Sequence, residues 1–267
     1  VSLVHVLPLA VRAGSAPPRH QSEDLSIPAT SRSWLDRTQK RLQARGFRVT
    51  RHIRRGLPAQ VVVELAAKGN YDLVVAGAKG RSDIPFLPTG SVALAVLEHV
   101  PANVLLVREP ELEREQQVPV VLRPFPVLFA TDGSSYAARA ARTFFNLFSV
   151  PQLRPMAIAV AELPEPAVLR DMDTARREQL IRQIQDAAGR WAQELKPLLA
   201  RPGVRPQARA VRGRPAAAIV AEAIHHQAKL IVLGSRGARG PEGPRLGSVA
   251  LQVARSAPCS VLIVREV

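Results

Sequence analysis

Cysteine is nearly absent: 267 residues contain one, Cys259. That excludes an intrachain disulfide and suits a reducing compartment, so the cytoplasm is the expected location. Cys259 stands in Ala257-Pro258-Cys259-Ser260-Val261 with no obvious base nearby, and reads as a small buried thiol rather than a nucleophile. Long apolar runs are missing as well. None approaches the roughly 18–20 residues that span a bilayer, so no membrane partner is expected. Residues 1–16 are apolar and end near small residues, as a signal peptide would, but they lack a basic start and carry His5 and Pro8. The repeat described below reads them as a strand instead. Aromatic residues make up only 4%, too few to stack bases along a strand, which argues against nucleic acid as a partner. No paired carboxylates, metal-ligand cluster or Ser/His/Asp arrangement stands out, so no catalytic residue and no metal site is assigned. His225-His226 lies on a predicted helix and reads as exposed.

Lysine is scarce too, 5 residues against 32 Arg, and these outnumber 22 acids to give a net charge of +15. The excess concentrates beyond Val118, where 21 basic residues face 11 acidic ones. Such a field draws phosphate ligands without choosing among them. Hydrophobic content of 46% fits a globular chain, and the length fits two ordinary cores of about 100–150 residues.

The chain repeats itself. Residues 46–109 match 203–266 at a constant offset of 157 without a gap. Gly56 meets Gly213, Pro58 meets Pro215, Gly77 meets Gly234 and Gly80 meets Gly237. Gly90-Ser91-Val92 meets Gly247-Ser248-Val249, and Val107-Arg108-Glu109 meets Val264-Arg265-Glu266. A period this long means duplicated domains rather than a solenoid. The domains are 1–109 and 124–267, joined by a charged, Pro-containing linker over 110–123.

Strand and helix patterns alternate in each copy. In the second, 127–130, 156–161, 204–211, 230–233 and 261–264 read as strands. Pro206 makes 204–211 an edge candidate. Residues 135–148, 171–200, 215–227 and 248–255 read as helices; in 171–200, Ile181, Ile184, Ala188, Trp191 and Leu195 recur at helical spacing. Short apolar strands between helices imply parallel sheets covered on both faces. The first copy starts late. Leu3-Val4-His5-Val6 corresponds to Ala157-Ile158-Ala159-Val160, so the first strand and helix have no counterpart. Either the chain is a fragment or the repeat is incomplete, and the absent initiator Met favours a fragment.

One motif carries chemistry. Gly234-Ser235-Arg236-Gly237, nine residues, then Gly247-Ser248 is repeated as Gly77-Ala78-Lys79-Gly80, nine residues, then Gly90-Ser91. It runs from a strand's C-terminal end to a helix N-terminus, the edge where open α/β sheets bind ligands. Free N–H groups at the helix start and the Ser hydroxyl suit phosphate oxygens. The spacing is neither that of Walker A nor that of the dinucleotide fingerprint. In the second copy Arg236, Arg239 and Arg245 add positive charge.

This pattern resembles the ATP-binding signature of the universal stress protein family, in its tandem form. Thr131-Asp132-Gly133-Ser134 after the first strand and Gly213-Arg214-Pro215 before the third helix are similar to that family as well. The resemblance implies two doubly wound five-stranded parallel sheets of order 3-2-1-4-5, the first lacking its initial strand and helix. It implies that adenine nucleotide, ATP or AMP or ADP with Mg2+ as an optional companion, serves sensing or signalling in a stress response. By position Asp132 and Val160 would face the adenosine, while Gly234, Ser235, Gly237, Gly247, Ser248 and Val249 would hold ribose and phosphates. The first copy offers Val6, Gly77, Gly80, Gly90, Ser91 and Val92, without a counterpart of Asp132. Asp132 is open to a second reading, as the cap of the helix that follows. A slow ATP hydrolase and a nucleotide-free interaction module are the alternatives to binding alone. The end strands 104–107 and 261–264 are expected side by side in an intramolecular pseudo-dimer, with a further homodimer left open.

Overall fold

Apolar runs too short for helices become strands here, and the stretches between them, apolar at helical spacing, cover the sheet. The computed structural model describes residues 1–7, 27–80, 89–108, 124–238 and 246–265. The linker 110–123 and most of both nine-residue loops, with Arg239 and Arg245, lie outside the described residues.

The described chain divides into two compact units, Val1–Lys68 and Gly69–Val267. In the smaller, β1 (Ser2–Leu7) pairs in parallel with β2 (Thr50–Arg55), with Leu3 opposite Arg51. Helices α1 (Ala29–Gln43) and α2 (Pro58–Gly69) accompany them; Leu35 and Ala66 are their buried contacts. Arg51 donates to Asp36 at 2.6 Å.

The larger unit begins with β3 (Leu73–Gly77), α3 (Ser91–His99) and β4 (Asn103–Val107). The second repeat follows complete: β5 (Phe125–Thr131), α4 (Ser135–Leu147), β6 (Leu153–Ala161), α5 (Pro166–Arg170), α6 (Thr174–Leu199), β7 (Gln207–Arg212), α7 (Pro215–His225), β8 (Leu230–Gly234), α8 (Ser248–Ser256) and β9 (Ser260–Val264). The seven strands run in the order β3-β4-β9-β8-β5-β6-β7. Within the second repeat this is the expected order 3-2-1-4-5, and β7 takes the edge that Pro206 indicated.

The two tandem units of the expected α/β type are present, and the strands divide between a two-stranded and a seven-stranded sheet. In the second repeat β5 hydrogen-bonds to both β6 and β8 and holds the two halves together. Among the described residues the first repeat shows no such strand. Its β1 and β2 therefore form a sheet of their own, while β3 and β4 join the second repeat's sheet.

The junction is the pairing expected from the two apolar end strands. β4 and β9 are antiparallel, with Val104 opposite Ile263, Leu105 opposite Leu262 and Leu106 opposite Val261. Leu105 and Leu262 are equivalent at the repeat offset, so a local twofold axis passes between them. Arginines lock this seam. Arg108 donates from Nη2 to Thr89 Oγ1 at 2.6 Å and to Ala254 O at 2.5 Å, and its N–H donates to Ser260 Oγ at 3.1 Å. Arg265 mirrors it, donating from Nη2 to Leu97 O at 2.5 Å and Glu98 O at 3.2 Å, with its N–H on Asn103 Oδ1 at 2.9 Å. Each arginine thus satisfies last-turn carbonyls of the other repeat's helix, groups that have no intrahelical donor.

Behind the sheet, Val127, Phe129, Phe144, Leu195, Leu199 and Val232 are buried in one cluster. Cys259 is buried as well, as the sequence implied. Burial pushes its thiol up from 9.0 to about 11, against a smaller opposing effect of Arg108. A raised thiol pKa means the fold favours the protonated form. The stability it contributes is complete below about pH 9 and is lost as pH rises toward 11. Native protein is therefore expected to resist Ellman's reagent at pH 8 until denatured. Cys259→Ala should flatten the decline in stability between pH 9 and 11; an unchanged decline would assign it to other groups.

Candidate glycine-loop site

The second repeat's site is built where β5, β8 and α8 meet at the C-terminal edge of the sheet. Strand β5 ends in the turn Thr131-Asp132-Gly133-Ser134. Thr131 Oγ1 accepts from the Gly133 N–H at 3.1 Å, and Gly133 takes a positive φ of 79°. A Cβ there would also lie 2.3 Å from Trp191 Cδ1, so the indole of α6 rests directly on this glycine. Ser134, not Asp132, caps α4, its hydroxyl accepting from the Ala137 N–H. That leaves the Asp132 carboxylate for other work. Its Oδ1 accepts from the Ser134 N–H at 3.1 Å, and its Oδ2 accepts from the Ala238 N–H at 2.6 Å.

Asp132 therefore ties the first turn to the glycine loop 106 residues later. Gly237 makes this approach feasible, since a Cβ at that position would sit 2.4 Å from Asp132 Oδ2. Below it, Ser235 is buried, its N–H donates to Val264 O at 2.7 Å and its carbonyl accepts from the Gly247 N–H at 2.7 Å. Gly247 has an ordinary extended backbone, φ −68° and ψ 150°. What favours glycine there is space, because a Cβ would lie 3.2 Å from Ser235 O.

This frame aims a helix start at the edge of the sheet. Helix α8 has no side-chain cap, and its first i→i−4 bond runs from the Leu251 N–H to Gly247 O. The N–H groups of Ser248, Val249 and Ala250 precede it, and the helix dipole adds partial positive charge. Ser248 is exposed, while Val249 and Val160, near the end of β6, are half-buried. The Arg236 guanidinium lies 5.1 Å from the centroid of the Tyr136 ring.

The first repeat carries the same frame. The Ala78 N–H donates to Val107 O at 2.8 Å and the Gly90 N–H to Ala78 O at 2.7 Å, each equivalent to its partner at the repeat offset. Gly77, Gly80, Gly90, Ser91 and Val92 all belong to the larger unit. Val6 belongs to the smaller unit, where it pairs with Arg54. Tyr136, Trp191 and Thr89 were not among the expected site residues. Trp191 was visible only as a helical-spacing position, and Thr89 had no motif to mark it. Among the described residues no group of His, Cys, Asp and Glu could hold a metal ion, and no helix is long and apolar enough to cross a membrane.

The universal stress protein family model matches residues 1–108 and again 125–265. The chain belongs to the universal stress protein family, in tandem form. A universal stress protein of Thermus aquaticus is 34% identical over 139 residues, covering 52% of this chain and 97% of the relative. One from Mycolicibacterium smegmatis is 25% identical over 276 residues, 99% of this chain and 87% of its own length. The crystal structure of a universal stress protein from Archaeoglobus fulgidus DSM 4304 aligns with TM-score 0.55 at 19% identity, over 89% of this chain and 76% of that one. It shares the fold.

Proposed function

We propose that the second repeat binds one adenine nucleotide, ATP or AMP, at its glycine loop, and that the chain acts as a nucleotide-responsive stress protein rather than a dedicated enzyme. The observation that carries this reading is the Ser235–Gly247 frame, which turns an uncapped helix start toward the turn that holds Asp132. The Ser248 and Val249 N–H groups, with the Ser248 hydroxyl, would receive phosphate oxygens. Val160 would offer apolar contact to the base, and Asp132, its two oxygens already engaged by N–H donors, has further lone pairs for a ribose hydroxyl or base amine. The net positive charge of the second repeat favours the anion at longer range. A Mg2+ ion would reach this site with a triphosphate rather than through a cluster of protein carboxylates.

Isothermal calorimetry with ATP, ADP and AMP tests the reading. One site per chain is expected, with adenine nucleotides raising the melting temperature and inorganic phosphate alone doing so weakly. If no adenine nucleotide binds below millimolar concentration, the reading fails.

A further inference from the structure

A cavity of the larger unit lies away from the glycine loop. It has a volume of about 770 Å3 and opens at the opposite edge of the sheet, among the first residues of β5, β6 and β7. Parallel strands of five to nine residues separate it from the glycine loop, a distance of about 15–20 Å. Its floor is apolar, formed by Val127, Leu128, Leu153 and Met156, the first three buried. Its rim carries the exposed guanidiniums of Arg154 and Arg205. Among the described residues neither makes an ion pair or hydrogen bond, and none of the lining residues is acidic. Glu222, the partner of the lining residue His226 at 3.2 Å, is also engaged by Arg209 at 3.5 Å.

We infer that this cavity binds an amphipathic organic anion, its apolar body on the Val127–Met156 floor and its carboxylate, sulfonate or phosphate head between Arg154 and Arg205. The volume lies within the range that encloses a small organic ligand and far exceeds an inorganic ion. Arginine suits the head group because its planar fork donates twice to an oxyanion. The glycine-loop site offers backbone donors at a helix start instead of a pair of guanidiniums, so the two sites present different donors to an anion.

Anilinonaphthalene sulfonate (ANS) is the probe, titrated into the full chain with saturating ATP present throughout. Saturable fluorescence enhancement with one site is expected, displaced by decanoate and at least about 10-fold less well by decanol, which lacks the charge. Arg154→Glu/Arg205→Glu should weaken ANS by about 10-fold or more, and the Gln pair by less. Both arginines are exposed, so unchanged melting temperature serves as the control for folding. Equal competition by decanol, charge reversal that leaves ANS affinity within about twofold, or the absence of a saturable ANS site in the presence of ATP would each overturn the inference.

Discussion

Arg265→Ala is expected to lower the unfolding free energy of the seven-stranded unit by about 2–4 kcal/mol. The side chain is 7% exposed and its guanidinium donates to Leu97 O and Glu98 O across the β4–β9 seam. Truncation removes the donor to those carbonyls at the end of α3, and Pro101, four residues after Leu97, has no N–H to replace it. The N–H of residue 265 still reaches Asn103 Oδ1, so the loss reports the guanidinium rather than the backbone contact. Arg265→Lys should recover only part, since an ammonium cannot reproduce the planar fork that serves two carbonyls. Arg108→Ala is expected to cost less, about 1–2 kcal/mol, because that side chain is only half-buried. Chemical denaturation followed by tryptophan emission measures this. Trp191 reports the larger unit and Trp34 the smaller, so Trp34→Phe isolates the relevant transition. A loss below about 0.5 kcal/mol for Arg265→Ala would mean that strand pairing alone holds the seam.

The seam also marks what the sequence could and could not reveal. The repeat placed Val104-Leu105 against Val261-Leu262, and two apolar end strands with open edges are driven to pair. Their side-by-side arrangement was therefore legible. The arginine exchange was not. Arg108 and Arg265 were visible as a matched pair, but nothing in a sequence says which helix end a guanidinium will reach. The same holds for Asp132. Its place after the first strand was legible from the Thr-Asp-Gly-Ser turn, yet its choice between capping α4 and bridging to Ala238 depends on a residue 106 positions away. Ser134 took the cap because it immediately precedes the first helical residue, with its hydroxyl within reach of the Ala137 N–H. Only the absence of a side chain at Gly237 then allows the carboxylate to approach. The division of the first repeat followed from a strand that could be named as missing. Its consequence, β1–β2 in one sheet and β3–β4 in another, comes from hydrogen-bond connectivity: among the described residues β5 is the strand of the second repeat bonded to both halves.

The two glycine loops are expected to differ in affinity by about 10- to 1,000-fold, giving one tight nucleotide per chain. Their frames are the same to within about 0.1 Å in the bonds that define them, 2.8 and 2.7 Å in the first and 2.7 and 2.7 Å in the second. The difference lies in what surrounds the frame. Among the described residues the turn that carries Asp132 belongs to the second repeat, and a charge-assisted hydrogen bond is worth about 1.5–3 kcal/mol. Thr89, beside Gly90, is also buried and donates to Ala254 O at 2.8 Å, which ties this residue to the far end of α8. Leu246 stands at the equivalent position in the second loop and can make no such side-chain bond. Gly247→Val should therefore abolish measurable ATP binding, while Gly90→Val leaves it within about twofold. The valine need not unfold the chain. A Cβ at residue 247 meets Ser235 O at 3.2 Å, a clash relieved by a shift of a few tenths of an ångström, but that shift and the added methyl groups crowd the N–H groups of Ser248 and Val249. Gly237→Ala provides an independent lesion, because its Cβ would force Asp132 off Ala238 and so lower affinity without touching the helix start. Calorimetry on the three variants, each checked for an unchanged melting temperature, decides the matter. Two equal sites in the unmodified chain, or binding that survives Gly247→Val and is abolished by Gly90→Val, would reverse the assignment.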